Sequence, residues 1–230
     1  MGSSLRDDFS EIDIEDSKQL QEAVAEYQKQ TQALGEPDLK APFLPPIQQN
    51  YEYTLVLDLD ETLLHYDEGT EVLNVRPNLH QFLDKVSRYY EIVIFTAGMK
   101  EYADWALSEL GDIVRHTVSH RLYRNHALPC REFYIKDLSL LGRDLNKTII
   151  VDNITENFLL QPENGISIKS WYEDPEDDAL MQLAPFLVSI VQQQEPDVKV
   201  TLKQIKESII EMICEEDSRS SDSQVNLYLD

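Results

Sequence analysis

An apolar stretch that ends in two carboxylates constrains the fold of this chain more than any other feature. Residues 53–57 read Tyr-Thr-Leu-Val-Leu, and Asp58 and Asp60 follow, two residues apart and just before Thr62. A short run rich in Val and Leu is typical of a strand that is buried on both faces of a parallel sheet. Asp58 is then expected at the carboxyl end of the strand, the edge where open α/β sheets bind ligands.

The pairing of Asp58 with Asp60 also constrains the chemistry. Two neighbouring carboxylates repel each other unless a cation or a shared proton offsets their charge. The pair therefore indicates a hard metal ion, which prefers oxygen ligands, or acid–base catalysis. A solvated Asp-Leu-Asp turn after a core strand is the alternative at this point.

Length and charge limit the classes of function. The 230 residues suffice for one α/β domain with extensions or, alternatively, for two small domains. They include 43 acidic and 20 basic residues, which gives a net charge of −23. Because phosphate backbones are bound mainly by Lys and Arg, we expect no direct binding of nucleic acid and no non-specific binding to anionic membranes.

Cysteine content and hydropathy bear on the compartment. The two cysteines, Cys130 and Cys214, are too few for the disulfide framework of a small secreted protein. No apolar stretch approaches the ~20 residues that a transmembrane helix requires. We therefore expect an intracellular protein, nuclear or cytoplasmic, with no transmembrane segment.

Residues 1–50 are predicted to form an N-terminal extension. Apolar residues at helical spacing between Asp16 and Gly35 predict an amphipathic helix, and the four prolines that follow predict an extended connector. Three apolar side chains are expected to dock the connector on the domain: Phe43, Leu44 and Ile47.

Residues 51–194 are predicted to form the main domain. Strand-like and helical patterns alternate here, which predicts an α/β fold with a central parallel sheet and helices on both faces. The predicted strands are 53–58, 92–96, 148–152 and 166–170. The predicted helices are 77–89, 99–110 and 176–194, and Pro185 is expected to kink the last one or split it in two.

Residues 195–230 are predicted to form a C-terminal extension. Thr201 and Gln204 fit a capping box for a helix that reaches Cys214. The serine-rich acidic residues beyond it are expected to be disordered.

The segment 115–136 departs from the acidic character of the chain. It contains four arginines and Lys136 against Glu132 alone. A locally basic segment in an acidic chain indicates an anionic ligand. Its arginines are Arg115, Arg121, Arg124 and Arg131.

Polar residues follow three of the predicted parallel strands. Asp58 and Asp60 follow the first, Thr96 ends the second, and Asp152 and Asn153 follow the third. Since parallel strands share their carboxyl edge, these groups are expected to converge. Taken alone, Thr96 is also compatible with an ordinary strand residue, and Asp152 with a turn.

Four segments together carry a resemblance to a known family. They read Asp-Leu-Asp-Glu-Thr-Leu-Leu-His at 58–65, Phe-Thr-Ala at 95–97, Tyr-Ile-Lys-Asp-Leu-Ser-Leu-Leu-Gly-Arg-Asp-Leu at 134–145 and Val-Asp-Asn at 151–153. In this order they resemble the four motifs of the FCP/SCP phosphatases of the haloacid dehalogenase superfamily. The resemblance implies a haloacid-dehalogenase-like Rossmannoid fold, with 115–136 as a small β insertion between the second and third motifs.

The resemblance also implies a reaction. Asp58 would attack phosphorus and form an aspartyl-phosphate, while Asp60 would protonate the leaving oxygen and later take a proton from water. Thr96 and Lys136 would bind the phosphoryl group. Arg124 stands where relatives carry an arginine that contacts the substrate phosphate, and Arg121 and Arg131 are weaker candidates.

A metal ion is implied as well. Mg²⁺ would be bound by the Asp58 carboxylate, the Asp60 main-chain carbonyl and Asn153. Asp152 would orient Lys136 or a metal-bound water from the second shell, and Thr62 would orient the loop or a carboxylate.

One departure from the family concerns the substrate. Relatives that act on the carboxy-terminal repeats of RNA polymerase II carry a longer, apolar hairpin after the first motif, which receives a substrate proline. Here residues 66–74 are short and acidic, so a polymerase-tail substrate is doubtful.

The leading hypothesis is a Mg²⁺-dependent phosphoserine/phosphothreonine protein phosphatase that acts on a phosphorylated protein or peptide. One alternative is a small-metabolite phosphatase, which the apparent lack of a large cap domain disfavours. The other is a non-catalytic module that binds protein partners through its termini.

Overall fold

Five parallel strands form the central sheet in the computed structural model of the protein, which describes residue 25 and residues 40–48, 50–130 and 133–204. The central sheet is ordered β5-β4-β1-β8-β9, and the remaining strands form two hairpins, β2–β3 and β6–β7. The strands are β1 (Tyr53–Leu57), β2 (Leu64–Asp67), β3 (Val72–Val75), β4 (Tyr90–Phe95), β5 (Val118–Leu122), β6 (Leu128–Cys130), β7 (Phe133–Ile135), β8 (Thr148–Asp152) and β9 (Gly165–Ser167).

The chain reverses its direction of travel through the sheet between β1 and β8. From β1 it runs outward to β4 and β5, and it then returns to form β8 and β9 on the other side of β1. In a doubly wound sheet, such a reversal leaves a crevice at the carboxyl ends of the two strands beside it. Asp58 follows β1 and Asp152 ends β8, so both lie at this crevice.

One face of the sheet is covered by α-helices. They pack on inward-facing strand residues such as Leu55, Ile94 and Val151, and together these side chains form the larger core. The first helix buries Leu79, Phe82, Leu83 and Val86, the spacing of a helix with one apolar face. These helices are α1 (Leu79–Val86), α2 (Lys100–Glu109), α3 (Asp112–Thr117) and α4 (Ala179–Gln192).

The other face is covered by short 3₁₀ helices and by the connector. Val56, Val93 and Ile150 point to this side, since successive residues of a strand alternate between faces. Leu141 and Phe158, from the 3₁₀ helices Leu138–Leu141 and Thr155–Phe158, pack on these strand residues. The predicted α/β fold, with a central parallel sheet and helices on both faces, is confirmed.

The connector is attached at three points to the turn at residues 138–143, within the third motif. Leu44 is buried in the core on this face of the sheet, and Phe43 N donates to Leu140 O at 2.8 Å. Arg143 Nη1 donates to Pro45 O at 2.8 Å. Gly142 has a φ of +73°, and a Cβ there would lie 2.5 Å from Pro42 Cβ, so this position requires glycine.

The structure corrects the predicted effect of Pro185. Helix α4 runs without interruption from Ala179 to Gln192 and includes this proline. Pro185 is exposed, so the backbone carbonyl that loses its hydrogen bond can bond to water instead. The expected split into two helices was wrong, whereas the alternative, a kink at Pro185, stays a prediction.

The start of the last helix also differs from the prediction. Residues 198–204 are already helical, and Asp197 Oδ1 accepts a hydrogen bond from Lys199 N at 3.0 Å. Asp197 therefore caps this helix, and the capping box at Thr201 was wrong. The rest of the predicted C-terminal helix and the acidic tail lie outside the described residues, as does the predicted N-terminal helix except Ala25, which is helical.

Strands β2, β3, β5, β6 and β7 were not among the four predicted ones, although the last three lie in the segment 115–136 that the resemblance implied to be a small β insertion. Strand β5 is an edge strand with only β4 as a neighbour, and its residues Ser119, His120 and Arg121 are partly exposed polar side chains. The hairpin β2–β3 lies in the stretch that was interpreted only as short and acidic. In the described part of the chain, no helix is both long and apolar enough to cross a bilayer.

Candidate active site

Three strand ends meet at the carboxyl edge of the sheet. Asp58 N donates to Val151 O at 3.0 Å, and Thr96 N donates to Leu122 O at 3.0 Å, so the parallel ladders hold the residues that follow β1 and β4. Asp58, Thr96 and Asp152 are all buried. The structure thus brings together the polar residues that were expected to converge.

Lys136 forms ion pairs with two of these residues, Asp58 and Asp152. It follows β7 directly, is fully buried, and its Nζ donates to Asp58 Oδ1 at 2.5 Å and to Asp152 Oδ2 at 2.6 Å. Burial alone would lower the pKa of Lys136, but the charges of Asp152 and Asp58 outweigh it and raise this pKa. Lys136 therefore stays protonated and offsets part of the carboxylate charge.

Asp152 is held by several donors. Its Oδ1 accepts from Ile154 N at 2.9 Å and from Asn157 Nδ2 at 3.1 Å. Burial and the neighbouring Asp58 raise the pKa of Asp152 to about 7, although Lys136 acts in the opposite direction. One ammonium is thus shared by two carboxylates, which leaves this buried group of three with an excess of negative charge to be offset.

Asp60 has a different environment from Asp58. Thr96 Oγ1 donates to Asp60 Oδ2 at 3.2 Å, and the Tyr102 hydroxyl donates to Asp60 Oδ1. Burial raises the pKa of Asp60 to about 6, and the charges of Asp58 and Glu61 act in the same direction. The hydrogen bonds from Tyr102 and Thr96 limit the rise. A carboxyl group with this pKa can both donate and accept a proton near neutral pH.

The loop that carries Asp60 turns sharply at the next residue. Glu61 has a φ of 57°, a left-handed conformation that is uncommon for a non-glycine residue and recurs at functional sites. Glu61 N donates to Leu64 O at 2.7 Å, and Trp171 N donates to Glu61 O at 2.8 Å. The turn is thus fixed both by its own hairpin and by the segment before α4.

Arg76 holds the same loop in place through a hydrogen bond to Thr62. Its side chain is fully buried, and its Nη1 donates to Thr62 O at 3.1 Å. Its Nε and Nη2 each donate to a different oxygen of Asp177 at 2.8 Å. Such a two-pronged contact is geometrically specific, so it fixes the loop relative to the start of α4.

Thr62 lies between two oxygen atoms that suit a metal ion. Its Oγ1 is 3.0 Å from Asp58 Oδ2 and 3.1 Å from Asn153 Oδ1. Asn153 Nδ2 donates to Ser170 Oγ at 3.0 Å, which points Asn153 Oδ1 toward Thr62. The single hydroxyl hydrogen of Thr62 can bond to only one of these two oxygens at a time. Asp58 Oδ2 and Asn153 Oδ1 therefore suit a hard cation such as Mg²⁺, which prefers oxygen ligands.

The expected metal ligands comprise one carboxylate, Asp58, together with the side-chain amide of Asn153 and the main-chain carbonyl of Asp60. This set therefore differs from clusters of acidic, histidine or cysteine ligands. Over the described ranges, no group of three or more His, Cys, Asp or Glu residues is arranged to hold a metal ion.

Arg124 lies at the rim of the site. Its Nε donates to Ala97 O at 2.6 Å, its N donates to Gly98 O at 3.0 Å, and its guanidinium lies 4.8 Å from the centre of the Tyr134 ring. The side chain is otherwise exposed, next to the loop that follows Thr96. Arg121 instead binds Asp104 at 2.9 Å, and Arg131 lies outside the described residues.

The sequence analysis missed three residues around the site. They are Tyr102, which contacts Asp60, and the buried pair of Arg76 and Asp177. Tyr102 could have been noticed because it lies in the first turn of the helix that follows Thr96. No local signal pairs Arg76 with a residue 101 positions away.

Several known proteins are similar to this chain in sequence. The chain is 42% identical to "CTD small phosphatase-like protein 3" of Caenorhabditis elegans over 157 residues, which cover 60% of this chain and 54% of the relative. It is 38% identical to a "Probable C-terminal domain small phosphatase" of Dictyostelium discoideum over 190 residues, which cover 75% and 60%. It is also 39% identical to the "Mitochondrial import inner membrane translocase subunit TIM50" of Kluyveromyces lactis over 154 residues, which cover 65% and 32%.

The chain thus matches little more than half the length of the two phosphatase-named relatives and a third of the translocase subunit. The sequence model of the family described as "NLI interacting factor-like phosphatase" matches residues 53–199. That segment is well over half of the 230 residues and contains all four motifs. The chain belongs to the NLI interacting factor-like phosphatase family.

Proposed function

We propose that this protein is a Mg²⁺-dependent protein phosphatase that hydrolyses phosphoserine and phosphothreonine through an aspartyl-phosphate on Asp58. One observation carries the proposal: two carboxylates of the same loop have unlike surroundings. Asp58 contacts the Lys136 ammonium, whereas burial raises the pKa of Asp60 to about 6. Neighbouring carboxyl groups with separate environments are typical of a nucleophile and an acid–base partner.

In the first half-reaction the Asp58 carboxylate attacks phosphorus. A bond forms between its oxygen and phosphorus while the bond from phosphorus to the serine or threonine oxygen breaks. Asp60 gives its proton to the departing oxygen, so the peptide leaves as a neutral alcohol.

In the second half-reaction a water molecule attacks the same phosphorus. Asp60, now a carboxylate, takes the proton of the water, and the bond between Asp58 and phosphorus breaks. The products are inorganic phosphate, the Asp58 carboxylate and protonated Asp60, which restores the starting state.

Charge on the phosphoryl oxygens is met by the surrounding groups. Lys136 supplies a fixed cation, and Thr96 supplies a hydroxyl donor once it turns from Asp60 to the phosphate. Arg124 would bind the phosphate from the rim. A Mg²⁺ ion on the Asp58 carboxylate, the Asp60 carbonyl and Asn153 would neutralise further charge when bound.

The segments between the motifs favour a protein substrate over a small metabolite. In the described part of the chain, the segment between the first and second motifs contains only the β2–β3 hairpin, α1 and the core strand β4, which leads into the second motif. The strands β5, β6 and β7 lie between the second and third motifs together with α2, α3 and one 3₁₀ helix. None of these elements forms a large cap, and an open site can accept an extended peptide.

The proposal is tested by phosphate release in the presence of Mg²⁺ from a diverse phosphopeptide library and from a panel of phosphorylated metabolites. We expect the Asp58→Asn and Asp60→Asn variants to lose turnover, with unchanged circular dichroism and thermal unfolding. Asp84→Asn is the matched control, because Asp84 is an exposed residue of α1. Undiminished turnover in Asp58→Asn would remove the nucleophile assignment, and a strong preference for metabolites would favour the alternative enzyme.

The resemblance to a translocase subunit supports a second candidate, a partner-binding module without catalysis. The two candidates differ in their response to Mg²⁺ and phosphopeptides. If neither Mg²⁺ binding nor phosphate release is measurable in the intact chain, the binding module replaces the phosphatase.

A further inference from the structure

Three aromatic side chains form a cluster beside the acid–base residue. Tyr66 belongs to β2, while Tyr102 and Trp105 lie three residues apart on α2, so both helix residues face the hairpin. The ring centres of Tyr66 and Trp105 are 5.2 Å apart, those of Tyr102 and Trp105 are 6.0 Å apart, and those of Tyr66 and Tyr102 are 6.2 Å apart. We refer to these three residues as the aromatic cluster.

The aromatic cluster extends from the reaction centre to the surface. At its inner end the Tyr102 hydroxyl donates to Asp60 Oδ1. At its outer end Trp105 is 40% exposed, which is unusual for so large an apolar side chain. Because Asp60 faces the leaving oxygen in the proposed reaction, residues flanking the phosphoresidue would pass over this cluster.

The surroundings of the aromatic cluster are acidic. Glu68 and Glu71 lie in the turn of the β2–β3 hairpin, directly after Asp67 at the end of β2, and residues 65–75 contain neither Lys nor Arg. Glu101 is exposed four residues before Trp105 on α2, so the two side chains share one side of the helix.

Lys100, the lysine of α2, forms hydrogen bonds away from the aromatic cluster. Lys100 donates to Asp104 at 2.5 Å and to the Tyr123 hydroxyl at 3.3 Å, on the side of α2 that faces away from the hairpin. The cation–ring contacts in the described part of the chain involve other rings: Tyr53, Phe95, Tyr123 and Tyr134. The faces of the aromatic cluster thus carry no such contact from the described residues.

We infer that the aromatic cluster binds a basic side chain, Arg or Lys, that flanks the phosphoresidue of a peptide substrate. The inference rests on the proposed phosphatase function and specifies its substrate class. Aromatic faces attract a cation through their electron density, and the acidic residues around them add a field of the same sense. An uncharged proline would use the ring faces but would gain nothing from the acidic turn.

The test compares phosphoserine peptides that differ at one flanking residue. Arg, Ala, Pro or Glu is placed in turn at each position on either side of the phosphoserine, and kcat/KM is measured with the 230-residue chain. At the best position we expect the Arg peptide to exceed the Ala peptide by about tenfold at low salt. The ratio should shrink as salt rises, since exposed charges are screened.

Variants assign the preference to the surface. We expect Trp105→Ala and the double variant Glu68→Gln/Glu71→Gln each to reduce the ratio of Arg to Ala peptide several-fold, whatever their effect on turnover itself. Met181→Ala is the control, because Met181 is an exposed apolar residue of α4 outside the cluster, and its ratio should equal that of the unmodified chain.

Equal kcat/KM for the Arg and Ala peptides at every position would overturn the inference, as would a higher value for the Pro peptide. An Arg preference that is unchanged in both the Trp105 and the Glu variants would overturn it too. Dissociation constants for the same peptides on the Asp58→Asn chain separate this inference from the proposed function. An Arg preference in binding without any turnover by the unmodified chain would keep the surface and remove the phosphatase, whereas equal dissociation constants would remove the surface.

Discussion

Tyr102 donates its phenolic hydrogen to Asp60 Oδ1, while Thr96 donates to the other oxygen of the same carboxyl group at 3.2 Å. The two donors come from α2 and from the end of β4, so two separate elements fix one side chain. An acid–base group must point at the proton that it transfers, and small errors in position reduce rates strongly. The contact therefore gives Tyr102 a role that its sequence position alone does not reveal.

Replacing Tyr102 by Phe is expected to lower kcat for a phosphoserine peptide by about fivefold, because Asp60 loses one of two hydrogen bonds, worth ~1 kcal/mol each. Tyr102 also lowers the pKa of Asp60. Its removal should raise this pKa further and move the alkaline fall in kcat/KM to higher pH. Full pH profiles of the two proteins check both effects, and superimposable profiles would rule out an orienting contact.

The pH dependence should vary with the leaving group. Burial raises the pKa of Asp60 to about 6, so the proton needed by a serine alkoxide is progressively lost as the pH rises through this value. We expect kcat/KM for a phosphoserine peptide to fall above about pH 6, and that for 4-nitrophenyl phosphate, whose leaving group needs no proton, to fall less. Parallel profiles for the two substrates would assign the titration to another group.

Mg²⁺ binding can be measured without turnover. Mg²⁺ is expected to raise the thermal unfolding temperature of the chain, and removal of the ion by a chelator should reverse the shift. Asn153→Ala should weaken Mg²⁺ binding about tenfold or more, since Asn153 Oδ1 and Asp58 Oδ2 both lie within hydrogen-bond distance of the Thr62 hydroxyl and are expected to bind the same ion. Asn146→Ala is the control, because Asn146 precedes the opposite end of β8. Equal Mg²⁺ shifts in both variants would remove Asn153 from the metal site.

The pair of Arg76 and Asp177 makes a prediction about stability. Loss of Asp177 leaves the fully buried Arg76 guanidinium without its partner, so Asp177→Leu should reduce the free energy of unfolding by about 3–5 kcal/mol. The double variant Arg76→Met/Asp177→Leu removes both charges and should be destabilised less than Asp177→Leu alone. Urea denaturation of the unmodified chain, the two single variants Arg76→Met and Asp177→Leu, and the double variant measures the coupling, and strictly additive losses would show that the two residues do not interact.

The positions of the central site residues could be predicted because they depend on strand ends. Asp58, Thr96 and Asp152 each end or follow an apolar run, and a parallel sheet brings such ends to one edge whatever the details of packing. Lys136 was found by a different route, from the resemblance of its segment to a family motif. The predictions for Asp58, Thr96 and Asp152 needed only the topology of the sheet.

Residues placed by packing could not be predicted in this way. The contact of Tyr102 with Asp60 depends on the rotation of α2 about its axis, and that of Arg76 with Asp177 joins residues 101 positions apart. Strand β5 lacks an apolar run because an edge strand is covered on one side only. Pro185 stays inside α4 because its exposed side lets water replace the missing hydrogen bond, a fact of tertiary burial.

The attachment of the connector has a consequence for where the working unit begins. Lys136 is followed within a few residues by the turn that receives Leu44, the Pro45 carbonyl and the Pro42 ring. A protein trimmed to start at β1 would keep all four motifs and yet uncover the apolar side chains beneath this turn. The trimmed protein would then be destabilised most around Lys136, whose ammonium group holds Asp58 and Asp152 together. Lys136 lies ~80 residues along the chain from the cut.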